Sequence, residues 1–157
     1  GAEKKMRTGL VSKFSTHLIK IASEVAVNKR NFLRINGDNY KTKDGTPVRD
    51  YIHISDLAEI HYLVGKNLVK SNLSKIYNCG YGKGYSVKEV VNVLNKILKY
   101  KLPTVIGARR KGDLEYVVSN PKKFQKDYSW KPKYNNLSLI LNSSIKWEKK
   151  IKNQFNI

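Results

Sequence analysis

The sequence predicts an α/β (α+β) fold in which a small sheet is flanked by helices. Short segments rich in β-branched and aromatic residues alternate with longer segments whose apolar residues recur every three or four positions. Turn-forming residues separate these segments. The 157 residues are the length of one domain and can bury a core, so we expect one domain over residues 1–157.

The first half of the chain is predicted to hold two helices and two strands. Thr16 can cap a helix, because its side-chain oxygen can accept from a free backbone N–H. Asp56 and Glu59 have the spacing of a capping box and predict the start of another. In order, we expect a helix over residues 17–29, strands over 32–35 and 48–54, and a helix over 56–70.

The second half is predicted to be of the same mixed kind. Ser86 and Glu89 form a second capping-box pattern. Asn120 as cap, with Pro121 at the first helical position, predicts a short helix. In order, we expect a strand over residues 75–79, a loop over 80–84, a helix over 87–98, a strand over 102–106, the short helix, and a helix over 137–151.

The net charge of +19 raises the possibility of a basic nucleic-acid-binding module. Only six of the 31 basic residues are arginine, however, and the lysines are scattered without a block of five. We therefore expect no nucleic-acid partner and keep that function as the alternative. Affinity that falls steeply with salt would be its signature.

The single Cys79 allows no disulfide within the chain and favours a reducing, cytoplasmic setting. No apolar run approaches the ~20 residues of a membrane span, so no membrane partner is expected. The start Gly1-Ala2-Glu3, without Met or a signal segment, is interpreted as part of a longer protein.

The most distinctive functional segment is residues 108–114, predicted to be an exposed loop. Arg109 and Arg110 offer forks of donors suited to phosphate oxygens. Gly112 permits a turn or a close approach to a ligand, and Asp113 could accept from sugar hydroxyls. Arg49, in an otherwise apolar and aromatic segment, needs a partner, which could be Asp50, another carboxylate or a phosphate.

Two further motifs are interpreted as structural. Gly80-x-Gly82-x-Gly84 lacks the spacing of a dinucleotide-binding loop. Tyr62-x-x-x-Lys66 has the spacing of a dehydrogenase pair but lacks a Ser or Thr partner, so we expect a partly buried tyrosine and a solvated lysine.

The three histidines have no Cys or carboxylate partners at metal-ligand spacing. His53 is expected to be a hydrogen-bonded core residue. No catalytic residue and no metal ligand is therefore assigned within this chain.

Four segments resemble the carboxyl-terminal, substrate-binding part of the UDP-glucose 4-epimerases, in the extended short-chain dehydrogenase/reductase superfamily. They are GDNYKTKDGTPVRDYIHISDLA (residues 37–58), YNCGYGKGYSVKEV (77–90), RRKGD (109–113) and WKPKY (130–134). Their order and spacing match the family and cover most of residues 1–150. The resemblance implies the substrate-binding subdomain of a two-domain enzyme.

The resemblance also implies site residues. Arg49 and Arg110 would hold the pyrophosphate and nucleotide of a UDP-sugar, and Asp113 would accept from the ribose. Val117 would line the hexose pocket, where a small side chain resembles relatives that also admit UDP-GlcNAc. The uracil and uridine would lie against His17, the backbone of Leu18, and Arg34 to Asn36, although Thr16-His17 and Asn36 depart from the family's usual Asn-Asn and aromatic residue.

In the family, full-length enzymes interconvert UDP-glucose and UDP-galactose through a 4-keto intermediate on bound NAD. An amino-terminal Rossmann domain carries the NAD loop and the catalytic Tyr and Lys, and this chain matches none of that part. The resemblance therefore implies that these residues alone bind no NAD and do not epimerise, and that the missing Rossmann domain is a partner.

Overall fold

The computed structural model describes residues 1–12, 14–71 and 74–155. Within these ranges helices and short strands alternate, which confirms the mixed α/β class. The elements are α1 Leu18–Ala26, β1 Leu33–Asn36, β2 Val48–Asp50, α2 Ile54–Ser71, β3 Gly84–Ser86, α3 Val87–Leu98, β4 Thr104–Gly107, β5 Tyr116–Val117, α4 Lys122–Tyr128 and α5 Leu137–Phe155. None of the helices in the described ranges is long and apolar enough to cross a bilayer.

The strands form two small sheets. β1 and β4 are parallel, with Asn36 opposite Gly107 at their carboxyl ends. β2 lies between β3, to which it is antiparallel, and β5, to which it is parallel. Arg49 is thereby opposite Val117. The carboxyl ends of β1 and β4 lead into the loops that carry the candidate site.

The main core lies between α1, α3 and α5. Nine buried apolar side chains form one cluster, and Leu94 and Leu141 are fully buried in it. Replacing a side chain such as Leu94 by alanine costs about 2–5 kcal/mol in comparable cores. A second cluster around Phe124 and Trp130 packs α4 against α2.

The two capping-box predictions have opposite outcomes. Ser86 accepts from the backbone N–H of Glu89 while the Glu89 carboxylate accepts from Ser86 N–H, so that box is confirmed. The Asp56–Glu59 box is wrong, because α2 begins earlier, at Ile54. Asp56 is fully buried and accepts from the Tyr81 hydroxyl at 2.5 Å instead. Distant partners therefore override the local pattern.

Helix α1 is shorter than predicted. It begins at Leu18, and His17 occupies the N-cap position without a side-chain cap, so the Thr16 cap is wrong. It ends at Ala26, where Asn28 has a φ of 58° and donates its N–H to the Val25 carbonyl at 3.0 Å. An asparagine tolerates this left-handed conformation and stops the helix.

The remaining differences concern strands and helix ends. Residues 75–79 do not form a strand, while β3 and β5 were missed. The 48–54 strand is shortened to β2, and β1 and β4 are each shifted toward their carboxyl ends. Pro121 is the N-cap of α4, one residue later than predicted, although Asn120 Oδ1 accepts from Lys122 N–H at 3.2 Å, the capping contact expected of Asn120. Helix α5 extends to Phe155. Tyr62 is 66% exposed rather than partly buried, while Lys66 is exposed as expected.

Candidate functional site: an arginine-lined cleft

Arg49, on β2, is paired with Asp113 from the loop after β4. Its Nη2 donates to Asp113 Oδ1 and, at 2.8 Å, to the Leu114 carbonyl, while Nη1 donates to the Val48 carbonyl at 2.8 Å. Both charged side chains are 26% exposed. The partner of Arg49 is therefore a carboxylate other than Asp50, that of Asp113, which lies 64 residues away in sequence.

The 108–114 segment is an exposed loop, as predicted. A turn closes it, in which Asp113 N–H donates to the Arg110 carbonyl at 3.2 Å and Gly112 has a φ of 77°. The other carboxylate oxygen of Asp113 accepts from the Tyr40 hydroxyl at 3.3 Å. Asp113 is thus fixed from two sides, by Arg49 and by Tyr40.

Arg110 is oriented by Asn36 at the end of β1. With the amide placed so that both groups are satisfied, the Asn36 oxygen accepts from Arg110 Nε and Nη2, each at 3.1 Å. Asn36 therefore aligns the guanidinium from one side. Arg34, two residues earlier on the same strand, has an exposed side chain that lies against Gly107. A Cβ at position 107 would collide with that guanidinium.

These groups converge on one cleft of about 160 Å³ between the start of α1, β1, β2 and the 108–114 loop. Three guanidiniums face one carboxylate there, so the cleft is electropositive and suited to an anion. Burial raises the pKa of Tyr51, another lining residue, to about 12. The lining residues are Thr16, Leu18, Ile21, Leu33, Arg34, Ile35, Asn36, Pro47, Arg49, Tyr51, Val87, Arg110 and Asp113.

Six of the eight predicted site residues line this cleft, and two do not. Val117 lies on a second cleft of about 520 Å³, which also contains Asn78, Cys79 and Asn120. Arg49 lines both clefts. His17 is exposed at the N-cap of α1 and lines neither of them.

The glycine motif after residue 79 is fixed by Asp50, which is therefore not the partner of Arg49. The Asp50 carboxylate accepts from the backbone N–H groups of Tyr81 and Gly82, each at 3.2 Å, and from the Ser119 hydroxyl. These amides are the groups that a dinucleotide loop would offer to a pyrophosphate. The 80–84 segment is thus a structural loop.

His53 is buried and hydrogen-bonded, as predicted. Its Nδ1 accepts from Ser55 N–H at 3.1 Å, and its ring stacks on Tyr134 at 4.6 Å. Burial lowers the pKa of His53, and the Asp56 carboxylate opposes that shift. Within the described ranges, no group of three or more His, Cys, Asp or Glu side chains could hold a metal ion.

Tyr40 and Tyr51 are the site residues that the sequence did not reveal. Tyr40 is buried beneath the 108–114 loop, and Tyr51 forms part of the cleft wall. Both lie within residues 37–58, the first segment that resembles the epimerases. Nothing in their local pattern indicated which loop each would face.

The comparisons with known proteins agree with this architecture. The model of the NAD dependent epimerase/dehydratase family matches residues 5–80. A UDP-glucose 4-epimerase of Azospirillum brasilense is 39% identical over 151 residues, which are 96% of this chain and 43% of that relative. The chain thus spans less than half of that relative's length.

Two experimental structures have similar folds. A UDP-glucose 4-epimerase from Bifidobacterium longum, in complex with NAD+ and UDP, superposes with a TM-score of 0.87 and 34% identity over 99% of this chain and 46% of that one. The UDP-Glc/GlcNAc 4-epimerase of Campylobacter jejuni superposes with a TM-score of 0.76 and is 38% identical, over 96% of this chain and 45% of that one. This chain belongs to the NAD-dependent epimerase/dehydratase family of the short-chain dehydrogenase/reductase superfamily.

Proposed function

We propose that the arginine-lined cleft binds the UDP moiety of a UDP-sugar and that this chain is the substrate-binding portion of a UDP-glucose 4-epimerase. The observation that carries the proposal is the convergence of Arg34, Arg49 and Arg110 with Asp113 on one cleft. Guanidiniums bind phosphate oxygens, and a carboxylate accepts from vicinal hydroxyls. The nucleic-acid alternative gains no support from the relatives.

The diphosphate would lie between Arg49 and Arg110. Arg49 uses three of its five N–H donors within the protein, so two are left for phosphate oxygens. Because Arg49 lines both clefts, a diphosphate bound there would direct the nucleoside toward Arg34, Asn36 and Leu18. The hexose would then face the second cleft.

Asp113 would receive the ribose. Its two oxygens already accept from Arg49 and Tyr40. An ionised carboxylate offers about four lone-pair positions, so it can also accept a ribose hydroxyl without losing those partners. The ion pair thereby orients the acceptor instead of blocking it.

Val117 supports the proposed sugar range. This small side chain is 44% exposed on the second cleft. Space beside it would admit an N-acetyl group, so UDP-GlcNAc is proposed as a substrate besides UDP-glucose and UDP-galactose. The Campylobacter jejuni relative is itself a UDP-Glc/GlcNAc 4-epimerase.

The described residues do not fit NAD. The only glycine-rich loop among them directs its amides at Asp50, so it cannot also hold a pyrophosphate. We propose that NAD binding and epimerisation require an amino-terminal Rossmann domain as partner, and that the enzyme acts in cytoplasmic galactose metabolism. Turnover of UDP-glucose by the purified 157-residue chain with added NAD would contradict this.

Calorimetric titration with UDP tests the binding site. Arg110→Ala should weaken affinity about 10- to 100-fold, because it removes charge-assisted hydrogen bonds worth about 1.5–3 kcal/mol. Lys111→Ala is the matched control, since it removes the neighbouring exposed cation and should change affinity less than about twofold. Equal losses in both variants, together with tight binding of a duplex oligonucleotide, would favour the nucleic-acid alternative.

A further inference from the structure

Tyr40 connects two loops beside the arginine-lined cleft. It is 4% exposed, and its hydroxyl donates to Asp113 Oδ2 at 3.3 Å. Its ring lies under the guanidinium of Arg109, with the Arg109 Cζ 3.9 Å from the ring centroid. We propose that Tyr40 is a positioning residue that sets the orientation of the Asp113 carboxylate toward the ribose; this inference rests on the proposed function.

The hydroxyl acts on the carboxylate directly. Arg49 donates to Oδ1 and restrains rotation about the Cβ–Cγ bond from one side of the carboxylate. The bond from Tyr40 to Oδ2 supplies the second fixed point. With both oxygens held, the carboxylate plane has one orientation, which sets the direction of the lone pairs that remain for a ligand.

The ring acts on the start of the same loop. A guanidinium stacked on an aromatic face is held by cation–π attraction. Gly37, at a φ of 88°, makes this stacking possible, since a Cβ there would collide with Arg109 Cγ and lie 2.9 Å from Tyr40 Cε2. Arg109 is therefore held against Tyr40, with its Nη2 3.8 Å from Glu115 Oε1.

The backbone around Tyr40 is held by two hydrogen bonds. Tyr40 N–H donates to the Gly45 carbonyl at 2.9 Å and closes the 40–45 turn. The next N–H, of Lys41, donates to Glu115 Oε1 at 3.2 Å. The 37–45 loop therefore contacts both ends of the 108–115 segment, Arg109 through the Tyr40 ring and Glu115 through the Lys41 N–H. The Tyr40 hydroxyl contacts Asp113 between those two ends.

The test compares UDP with 2′,3′-dideoxy-UDP on the wild-type chain and on Tyr40→Phe, which keeps the ring and removes only the hydroxyl. We expect UDP affinity to fall about threefold to tenfold, the worth of one hydrogen bond, with affinity for the dideoxy ligand unchanged. A structural role alone would lower both affinities equally, and that outcome would overturn the proposal. Tyr116→Phe is the matched control, because this exposed tyrosine lies three residues from Asp113.

Hydrogen–deuterium exchange without ligand separates the two proposals. Tyr40→Phe should raise the exchange rates of amides in residues 108–115 several-fold and leave residues 33–36 unchanged. If the wild-type chain does not bind UDP, the proposed function fails, and this measurement still decides whether Tyr40 positions the loop. Unchanged exchange at 108–115 in Tyr40→Phe would overturn the positioning role.

Discussion

Two glycine-containing loops of this chain use aspartate in opposite ways. In the 80–84 loop, Gly82 has a φ of 67°, and the backbone amides point inward to Asp50, whose carboxylate accepts from three donors. In the 108–114 loop, Gly112 has a φ of 77°, and Asp113 belongs to the loop itself and lines the cleft. A glycine-rich sequence therefore does not identify an anion site; what matters is whether its donors are already used.

The largest expected effect distinguishes the two aspartates. Asp50→Ala leaves two backbone amides and the Ser119 hydroxyl without their acceptor, and should lower the free energy of unfolding by about 2–4 kcal/mol. Asp113→Ala should lower it by no more than about 1 kcal/mol, because its pair with Arg49 is partly exposed. Asp113→Ala should nonetheless weaken UDP binding at least tenfold. Urea unfolding and calorimetry measure the two quantities, and the same stability loss in both variants would remove the contrast.

A smaller effect concerns the two glycines. Alanine at either position must adopt a left-handed conformation, which costs about 1–2 kcal/mol. Gly82→Ala would in addition bring a Cβ to 3.3 Å from Pro121 Cδ, whereas position 112 has open space around it. Thermal unfolding should therefore show the greater loss for Gly82→Ala. Equal or reversed losses would show that the structural loop is the more adaptable one.

The smallest expected effect is a pH dependence of stability that arises at His53, the residue whose backbone N–H donates to the Tyr81 hydroxyl oxygen of the 80–84 loop at 3.1 Å. Its imidazole accepts from Ser55 N–H and stacks on Tyr134. Because burial lowers the pKa of His53, the unfolded chain binds the proton more readily than the folded one. The free energy of unfolding should thus fall as the pH drops from 6.5, the ordinary value, through the folded-state pKa.

His53→Gln should flatten this dependence. Chemical denaturation at several pH values, with Tyr62→Phe as an exposed-residue control, provides the measurement. Stability that rises as the pH falls through this range would contradict the assigned direction of the shift.

The chemistry of the site was more predictable than its contacts. Arg49, Arg110 and Asp113 are charged residues in a distinctive setting, and the family resemblance supplied their roles as predictions. The ion pair between Arg49 and Asp113 could not be predicted, because it depends on β2 pairing with β5. The hydroxyl of Tyr40 lies 73 residues from its acceptor, and no local pattern announces such a contact.

The errors in predicting the fold also arise from contacts between residues distant in sequence. Residues 75–79 have the composition of a strand, but Tyr77 and Cys79 are used to pack against the cluster around Phe124. Asp56 matches a capping pattern, yet its buried carboxylate is engaged by Tyr81 and by the Tyr134 backbone N–H at 2.9 Å. At these two places a tertiary partner overruled the local pattern, whereas the Ser86–Glu89 box was predicted correctly because both of its hydrogen bonds form between those two residues, even though the Ser86 hydroxyl also donates to Asp44.

The pairing of β2 with β5 constrains how this chain can diverge. Arg49 and Val117 are opposite one another on adjacent strands, and Asp113 lies four positions before Val117 on the same segment. Inserting or deleting one residue between 113 and 117 would displace the proposed diphosphate and hexose contacts together. Replacing the side chain at position 117 leaves the spacing between Asp113 and the strand unchanged. Changes in sugar preference should therefore arise by substitution while the length of this segment stays constant.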